Sequence, residues 1–190
     1  MQEITNHIKS IVSISDQKLS IILNKLTLKE FSKKEHLLNI NQYTKEVYFI
    51  VKGCTRTYVY DLNGVEHNIT FAMENWWFGD LQSFIKETPA SFNIQALEPT
   101  TTLSISKGNW DYLVKEIPEF AMYTRVLFRN TMFSHENRIL QNLSFTAEER
   151  YSFFLKKYPN LAQRISQKHM ASYLGITPEF LSMLRNKIRK

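Results

Sequence analysis

The segment SQKHMASYLGITPEFLSMLR, residues 166–185, carries the strongest structural signals in the chain. Gly175 suits a short turn, while Thr177 followed by Pro178 suits the start of a helix, because threonine caps helices and proline fits their first turn. Ala171 is small at a point where two helices must approach closely. The segment therefore predicts two helices joined by a tight turn, the arrangement of a helix-turn-helix motif.

The second predicted helix has one apolar face and one open face. Leu181, Leu184 and Ile188 lie at i, i+3 and i+7, and they would face Met170 and Leu174 of the first helix. In helix-turn-helix proteins the start of the second helix reaches base edges in the major groove, while basic residues and helix N-termini contact phosphates. An ordinary packed helical hairpin is the alternative. The predicted DNA-contacting residues are Ser166, Gln167, Lys168, Thr177, Pro178, Glu179, Ser182, Met183, Arg185, Lys187 and Arg189.

The charge of the chain is concentrated at its C-terminal end. The 190 residues contain 24 Lys plus Arg and 18 Asp plus Glu, a net charge of +6. Residues 138–190 hold ten of the basic and three of the acidic residues, so the rest of the chain is nearly neutral. This distribution favours a polyanion partner, with a solvated basic tail as the alternative. Glu179 suits a cytosine amino group, whereas Arg185, Lys187, Arg189 and Lys190 suit phosphates.

Composition narrows the class of protein. Hydrophobic residues make up 43% and aromatic residues 13% of the chain, enough for a sizeable core. The single cysteine, Cys54, excludes an intramolecular disulfide and an iron–sulfur or zinc site built from several cysteines of one chain. No apolar run approaches the ~20 residues of a membrane span. We therefore expect a cytoplasmic protein without membrane contact.

The first 108 residues read as a β-rich region. Asp61-Leu62-Asn63-Gly64 predicts a tight hairpin turn, in which Asn63 and Gly64 tolerate a positive φ. Closely spaced short strands indicate a sandwich, jelly roll or barrel, so the fold class is α+β. Apolar residues between Ile8 and Leu26 predict one or two helices that cover the sheet. The predicted strands are residues 36–40, 46–53, 55–61, 65–73, 91–97 and 101–106.

A long helix is predicted over residues 118–143. Pro118 suits its first turn, and no other proline or glycine follows within it. Val126, Phe133 and Leu140 form a seven-residue series that could pair with a second copy or pack on the chain's own sheet. Arg129 and Glu136 interrupt the companion heptad positions, so both alternatives stay open. A further helix is predicted from about Thr146, with Glu149 completing a capping box, to Tyr158.

The pattern of chemical groups gives no support for catalysis. The five histidines, His7, His36, His67, His135 and His169, are scattered without metal-ligand spacing. No glycine-rich phosphate loop or nucleophile elbow is present. We expect no enzymatic activity, no metal and no resident cofactor.

Several motifs in order resemble the cyclic-AMP receptor protein and fumarate-nitrate regulator (CRP/FNR) family of transcription factors. The resemblance covers residues 28–188 and rests on Phe49–Gly53, Asn63-Gly64, Trp77–Leu81, Asn142–Phe145, Glu149–Tyr151 and the helix-turn-helix segment. It implies a cyclic-nucleotide-binding-like double-stranded β-helix, or jelly roll, over residues 1–117 and a dimerisation helix over 118–143. It also implies a helix-turn-helix domain with a reduced wing over 144–190. The implied partners are double-stranded DNA, a second copy of the chain and RNA polymerase.

The chain departs from the family at the effector site and at the DNA-reading helix. By resemblance, Asp80 stands at the ribose-binding acid and Ser91 at the phosphate-binding serine, but Ala90 replaces the phosphate-binding arginine. Glu136 and Asn137 replace the Thr-Ser pair that reads the adenine. Cyclic AMP is therefore not the expected effector. The candidate effector pocket comprises Gly79, Asp80, Leu81, Ala90, Ser91, Glu136 and Asn137.

In the DNA-reading helix, the family's Arg-Glu and later Arg correspond to Pro178, Glu179 and Met183. The resemblance therefore predicts a transcriptional regulator whose base contacts differ from those of the usual family site. The alternative is a ligand-binding or structural β-roll module without specific DNA binding.

Overall fold

The computed structural model describes residues 1–188, and Arg189 and Lys190, both predicted to contact phosphates, lie outside them. The chain packs as two compact units. The first, here called the β-unit, comprises residues 1–57 and 71–131. The second, here called the helical unit, comprises residues 58–70 together with the chain from Met132 onward. The domain boundaries at 117 and 143 stay a prediction.

Eight strands form two four-stranded sheets, in the orders β1-β8-β3-β6 and β2-β7-β4-β5. Their bounds are β1 Thr27–Phe31, β2 His36–Leu38, β3 Glu46–Lys52, β4 Thr55–Tyr60, β5 Glu66–Ala72, β6 Trp77–Phe78, β7 Asn93–Ala96 and β8 Thr100–Ser106. The six strands predicted from the sequence are confirmed. The alternating strand β1 and the two-residue strand β6 were not predicted. The pairs β1–β8, β3–β8, β3–β6 and β2–β7 are antiparallel.

Four helices accompany these strands: α1 Gln2–Ile11, α2 Asp16–Leu23, α3 Leu81–Lys86 and α4 Lys107–Glu116. The predicted N-terminal helices are confirmed, since Ile4, Ile8 and Ile22 are fully buried in the main core. That core also contains the rings of Phe49, Phe84, Trp110, Phe120 and Tyr123. Apolar burial on this scale is the main source of stability in the β-unit.

A small polar cluster lies inside this apolar core. The Tyr123 hydroxyl accepts a hydrogen bond from Trp77 Nε1 at 2.7 Å, and it lies 2.7 Å from His7 Nδ1. The hydroxyl has one proton and two lone pairs, so the direction of its hydrogen bond with His7 depends on the imidazole tautomer. Burial lowers the pKa of His7 and so favours the neutral imidazole.

Five helices complete the described chain: α5 Pro118–Ser144, α6 Ala147–Lys157, α7 Pro159–Arg164, α8 Gln167–Leu174 and α9 Pro178–Ile188. The predicted long helix is confirmed to within one residue at its C-terminal end. The predicted capping box is also confirmed, because Thr146 and Glu149 exchange side-chain and backbone hydrogen bonds at the start of α6. None of the helices described over residues 1–188 is long and apolar enough to cross a membrane.

Candidate nucleic-acid interface

The turn between α8 and α9 has the predicted structure. Gly175 adopts φ 67° and ψ 37°, a left-handed conformation that favours glycine. The amide of Ile176 donates to the carbonyl of Ala171 at 3.0 Å, which closes the end of α8 as in a Schellman motif. Thr177 Oγ1 accepts from the amide of Phe180 at 3.2 Å and so caps the start of α9. Local sequence chemistry therefore fixes the angle at which α9 leaves α8.

The inner faces of these helices are buried as predicted for Leu181 and Leu184, while the side chain of Ile188 lies outside the part that the structure describes. Leu181 and Leu184 of α9 are buried, as are Met170, Ala171 and Leu174 of α8. Along the opposite side of α9, the exposed residues are Thr177, Pro178, Glu179, Phe180, Ser182, Met183, Asn186 and Lys187. This side of α9, here called its open face, is therefore accessible to a partner.

The start of α8 contributes a second group of predicted contacts. Gln167 and Lys168 are exposed. Ser166 is exposed as well, but its Oγ accepts from the amide of His169 at 3.2 Å and caps α8. The start of α8 carries the partial positive charge of the helix dipole, and the exposed Lys168 adds a full positive charge there. Together they favour a bound anion at this end of the helix.

The hairpin formed by β4 and β5 contributes its outer end, residues 58–70, to the helical unit. The turn is the predicted one, with Asp61 Oδ1 accepting from the amides of Asn63 and Val65 at 2.8 and 2.9 Å. Of the two residues that tolerate a positive φ, Gly64 adopts one, at φ 77°, and Asn63 does not. The side chain of Asp61 organises the reversal, so one left-handed residue suffices.

This hairpin contacts α8 through hydrogen bonds. The amide of Asn68 donates to Ser172 Oγ at 2.9 Å, and Ser172 Oγ donates to the carbonyl of Glu66 at 3.0 Å. Asn68 Nδ2 also donates to the carbonyl of His169 at 3.2 Å. We call these contacts the hairpin clamp. Their partners lie more than 100 residues apart in the sequence, so no local pattern predicts them.

Two arginines bind the carbonyls at the C-terminal end of α8. Arg138 Nη2 lies 3.3 Å from the carbonyl of Tyr173 and 3.4 Å from that of Asn68, and the guanidinium carbon lies 4.1 Å from the centre of the Tyr173 ring. Arg150 donates to the carbonyls of Leu174 and Phe145 at 3.2 and 2.7 Å. Helix C-termini carry unsatisfied carbonyls and partial negative charge, so cations stabilise them. Burial lowers the pKa of Arg138.

Contacts within the protein occupy part of the positive charge that the sequence assigns to the C-terminal segment. Arg138 and Arg150 belong to the basic C-terminal segment, but they bind internal carbonyls. Lys187 Nζ forms an exposed ion pair with Glu148 Oε2 at 2.7 Å. Lys168 is exposed and Arg185 is half-exposed beside the open face of α9. The positive charge at this face is therefore smaller than the sequence total indicates.

The candidate effector residues divide between the two units. Gly79, Asp80, Leu81, Ala90 and Ser91 belong to the β-unit, whereas Glu136 and Asn137 are exposed on α5 within the helical unit. Both carboxylate oxygens of Asp80 accept backbone hydrogen bonds at 3.0 Å, one from Ser83 and one from Ser91. Asp80 and Ala90 are each 2% exposed. The carboxylate of Asp80 thus ties the start of α3 to the segment that precedes β7.

The C-terminal half of α5 carries an exposed apolar surface. Of the predicted heptad series, Val126 is partly buried, whereas Phe133 and Leu140 are exposed. Leu143, at 81% of its maximum exposure, continues that series by one helical turn. The exposed apolar residues of this half, here called the α5 stripe, are Met132, Phe133, Ile139, Leu140 and Leu143.

This architecture resembles that of known proteins. The profile of the cyclic nucleotide-binding domain family matches residues 28–116. FixK2 from Bradyrhizobium japonicum has a similar structure, with a TM-score of 0.77, 18% identity and coverage of 86% of this chain and 84% of FixK2. A comparison with curated protein sequences gives no significant match.

Two further solved structures share the fold. The catabolite activator protein of Thermus thermophilus gives a TM-score of 0.60 at 19% identity, covering 93% of this chain and 84% of that one. A protein described as a CRP/FNR-family transcriptional regulator, from Eubacterium rectale, gives 0.69 at 17% identity, covering 93% and 84%. Residues 28–116 therefore resemble the cyclic nucleotide-binding domain, and the chain shares the fold of these three proteins.

Proposed function

We propose that the protein is a homodimeric transcriptional regulator that binds DNA by inserting α9 into the major groove as the second helix of a helix-turn-helix. The observation that carries the proposal is the α8–α9 pair. Its turn is fixed by Gly175, its inner face is closed by Leu181 and Leu184, and its outer face is exposed. Glu179 is placed to accept from a cytosine amino group, and Arg185 flanks the helix where it would meet a phosphate.

The α5 stripe supports a dimer formed by two copies of this helix. An exposed row of large apolar side chains is unfavourable in water and marks an interaction surface. Phe133, Leu140 and Leu143 follow a heptad pattern, which is the spacing that allows two helices to pack along a seam. A two-fold dimer would present two copies of α9 to half-sites about one helical turn apart, ~34 Å along the DNA.

We further propose that any effector differs from cyclic AMP. A cyclic phosphate needs a cationic partner, and Ala90 has none to offer at the matching position. The carboxylate of Asp80 is buried and accepts from two backbone amides, so in this chain it serves the local fold. RNA polymerase is the partner that a regulator of this type would act on.

Selection of bound sequences from random DNA tests the proposal. The full chain should enrich a two-fold symmetric site, and the same site should emerge with and without cyclic AMP. Glu179→Ala should relax the preference at one base position, while Arg185→Ala should weaken binding to all sequences alike. Glu116→Ala, which removes an exposed carboxylate from α4, is the matched control and should select the wild-type site.

A ligand-binding or structural β-roll module is the competing function. It would give no enriched sequence, and it would bind genomic fragments weakly or not at all even at low salt. A site whose enrichment required cyclic AMP would instead overturn the effector proposal while leaving DNA binding intact.

A further inference from the structure

The open face of α9 has an unusual chemical composition for a base-reading surface. Glu179, Met183 and Asn186 lie at i, i+4 and i+7, directly opposite the buried Leu181 and Leu184, and all three are exposed. Among the large apolar side chains described between Pro178 and Lys187, Met183 is the most exposed, at 64%. These three positions would therefore lie deepest in a groove that admits α9.

The three groups at the centre of this face do not match the commonest guanine contact. Guanine offers N7 and O6 acceptors, which Arg or Lys binds with two donors. Glu179 offers acceptors only, Met183 is apolar, and Asn186 has the paired donor and acceptor that match adenine. Of the nearby cations, Lys187 is exposed but forms an ion pair with Glu148, and Arg185 lies on the flank of the helix and is half-buried.

The apolar side chain has one complementary feature in the major groove, the C5-methyl group of thymine. We propose that Met183 reads a thymine methyl group and so makes a T·A pair part of each half-site. The inference rests on the proposed function, because it assumes that α9 enters the major groove. Met183 lies one helical turn, ~5.4 Å, beyond Glu179, and base pairs stack about 3.4 Å apart. The thymine therefore lies one or two base pairs from the pair that Glu179 contacts.

Uracil substitution tests this contact with a change of one methyl group. In the duplex selected by the full-length protein, each thymine is replaced in turn by deoxyuridine, which keeps base pairing and removes only the C5-methyl group. At one position in a half-site, wild-type affinity should fall about fourfold, the value of one buried methyl group. Met183→Ala should bind the thymine and uracil duplexes equally at that position, whereas Met183→Leu should keep a preference for thymine.

The outcomes separate this inference from the proposed function. Equal wild-type affinity for thymine and uracil at every position overturns the reading of thymine by Met183, although the protein still selects a sequence. A preference that persists unchanged in Met183→Ala assigns the contact to another residue and also overturns the inference. Failure to select any sequence removes the proposed function and this inference with it. Since Met183 is exposed, its truncation should leave folding intact, which unfolding curves of both variants would verify.

Discussion

The β-unit and the helical unit are stabilised in different ways. The β-unit surrounds a continuous cluster of aliphatic and aromatic side chains, within which the Tyr123 hydroxyl is hydrogen-bonded. The helical unit combines a smaller set of buried apolar residues with the hairpin clamp and with guanidinium groups that bind backbone carbonyls. Apolar burial tolerates small shifts of position, whereas hydrogen bonds specify direction. The comparison indicates that the helical unit relies on polar contacts to orient α8 and α9.

The largest effect should come from opening a cavity in the β-unit. Phe120 is 1% exposed, and its ring centre lies 5.4 Å from that of Trp110. Phe120→Ala should lower the free energy of unfolding by about 3–5 kcal/mol. The three tryptophans, Trp76, Trp77 and Trp110, all lie in this unit, so denaturant unfolding followed by tryptophan fluorescence measures it. Ile85→Ala, at an exposed position, should cost less than about 1 kcal/mol; equal losses would contradict the account of the core.

In the helical unit, one polar substitution should have the second largest effect on stability. Arg138→Ala removes the partner of two carbonyls and of the Tyr173 ring, and should cost about 2 kcal/mol. Hydrogen exchange should quicken at the amides of α8 and at Asn68, while those of the β-unit core stay protected. Arg138→Lys should rescue little, because an ammonium lacks the planar guanidinium. Lys156→Ala, an exposed cation on α6, is the control; loss of protection in both variants would show that charge alone matters.

A smaller loss should follow from removing one helix cap. Thr146 Oγ1 accepts from the amide of Glu149, and Glu149 Oε2 accepts from the amide of Thr146 at 2.7 Å. The latter hydrogen bond holds the pKa of Glu149 below its usual value. Thr146→Ala should destabilise α6 by about 1 kcal/mol, measured as faster exchange of its first amides. Ser152→Ala, at an exposed mid-helix position, should leave those amides unchanged; an equal effect would contradict the capping account.

The smallest expected effect concerns the polar cluster of the β-unit. The pKa of His7 is lowered on folding, so the unfolded chain binds more protons below its ordinary value of about 6.5. The stability of the β-unit should therefore be fully present above that value and should decline as the pH falls through it. His7→Phe should flatten this part of the pH profile of unfolding, whereas His135→Gln, an exposed histidine on α5, should not. A wild-type profile that is flat between pH 8 and 5 would contradict the assignment.

Local chemistry explains which parts of the fold were predictable. Gly175, Thr177 and Pro178 act on their immediate neighbours, so the α8–α9 turn follows from the sequence, as does the reversal at Asp61. Strand β6 has only two residues, too few for any periodicity, and the helix α3 is as short as six. Such elements are specified by their packing and not by their own sequence.

The sequence predicts which residues of α9 are exposed, but it does not predict the contacts that hold α8 and α9 in position. The alternation of buried and exposed residues along α9 follows from helical spacing. The roles of Arg138 and Arg150 do not, because a basic residue in a basic segment gives no sign that it binds a carbonyl distant in the chain. The sum of charges therefore overstated what α9 and its surroundings offer to DNA.

The account's central claim is that the open face of α9 recognises a DNA sequence. The most direct measurement is the ratio of dissociation constants for the selected duplex and for a scrambled duplex of equal length, at a physiological salt concentration. The account predicts a ratio of about a thousand or more, and a steep loss of affinity for both duplexes as salt rises. Equal affinity for the two duplexes, or a ratio that Glu179→Ala and Met183→Ala together leave unchanged, would contradict it.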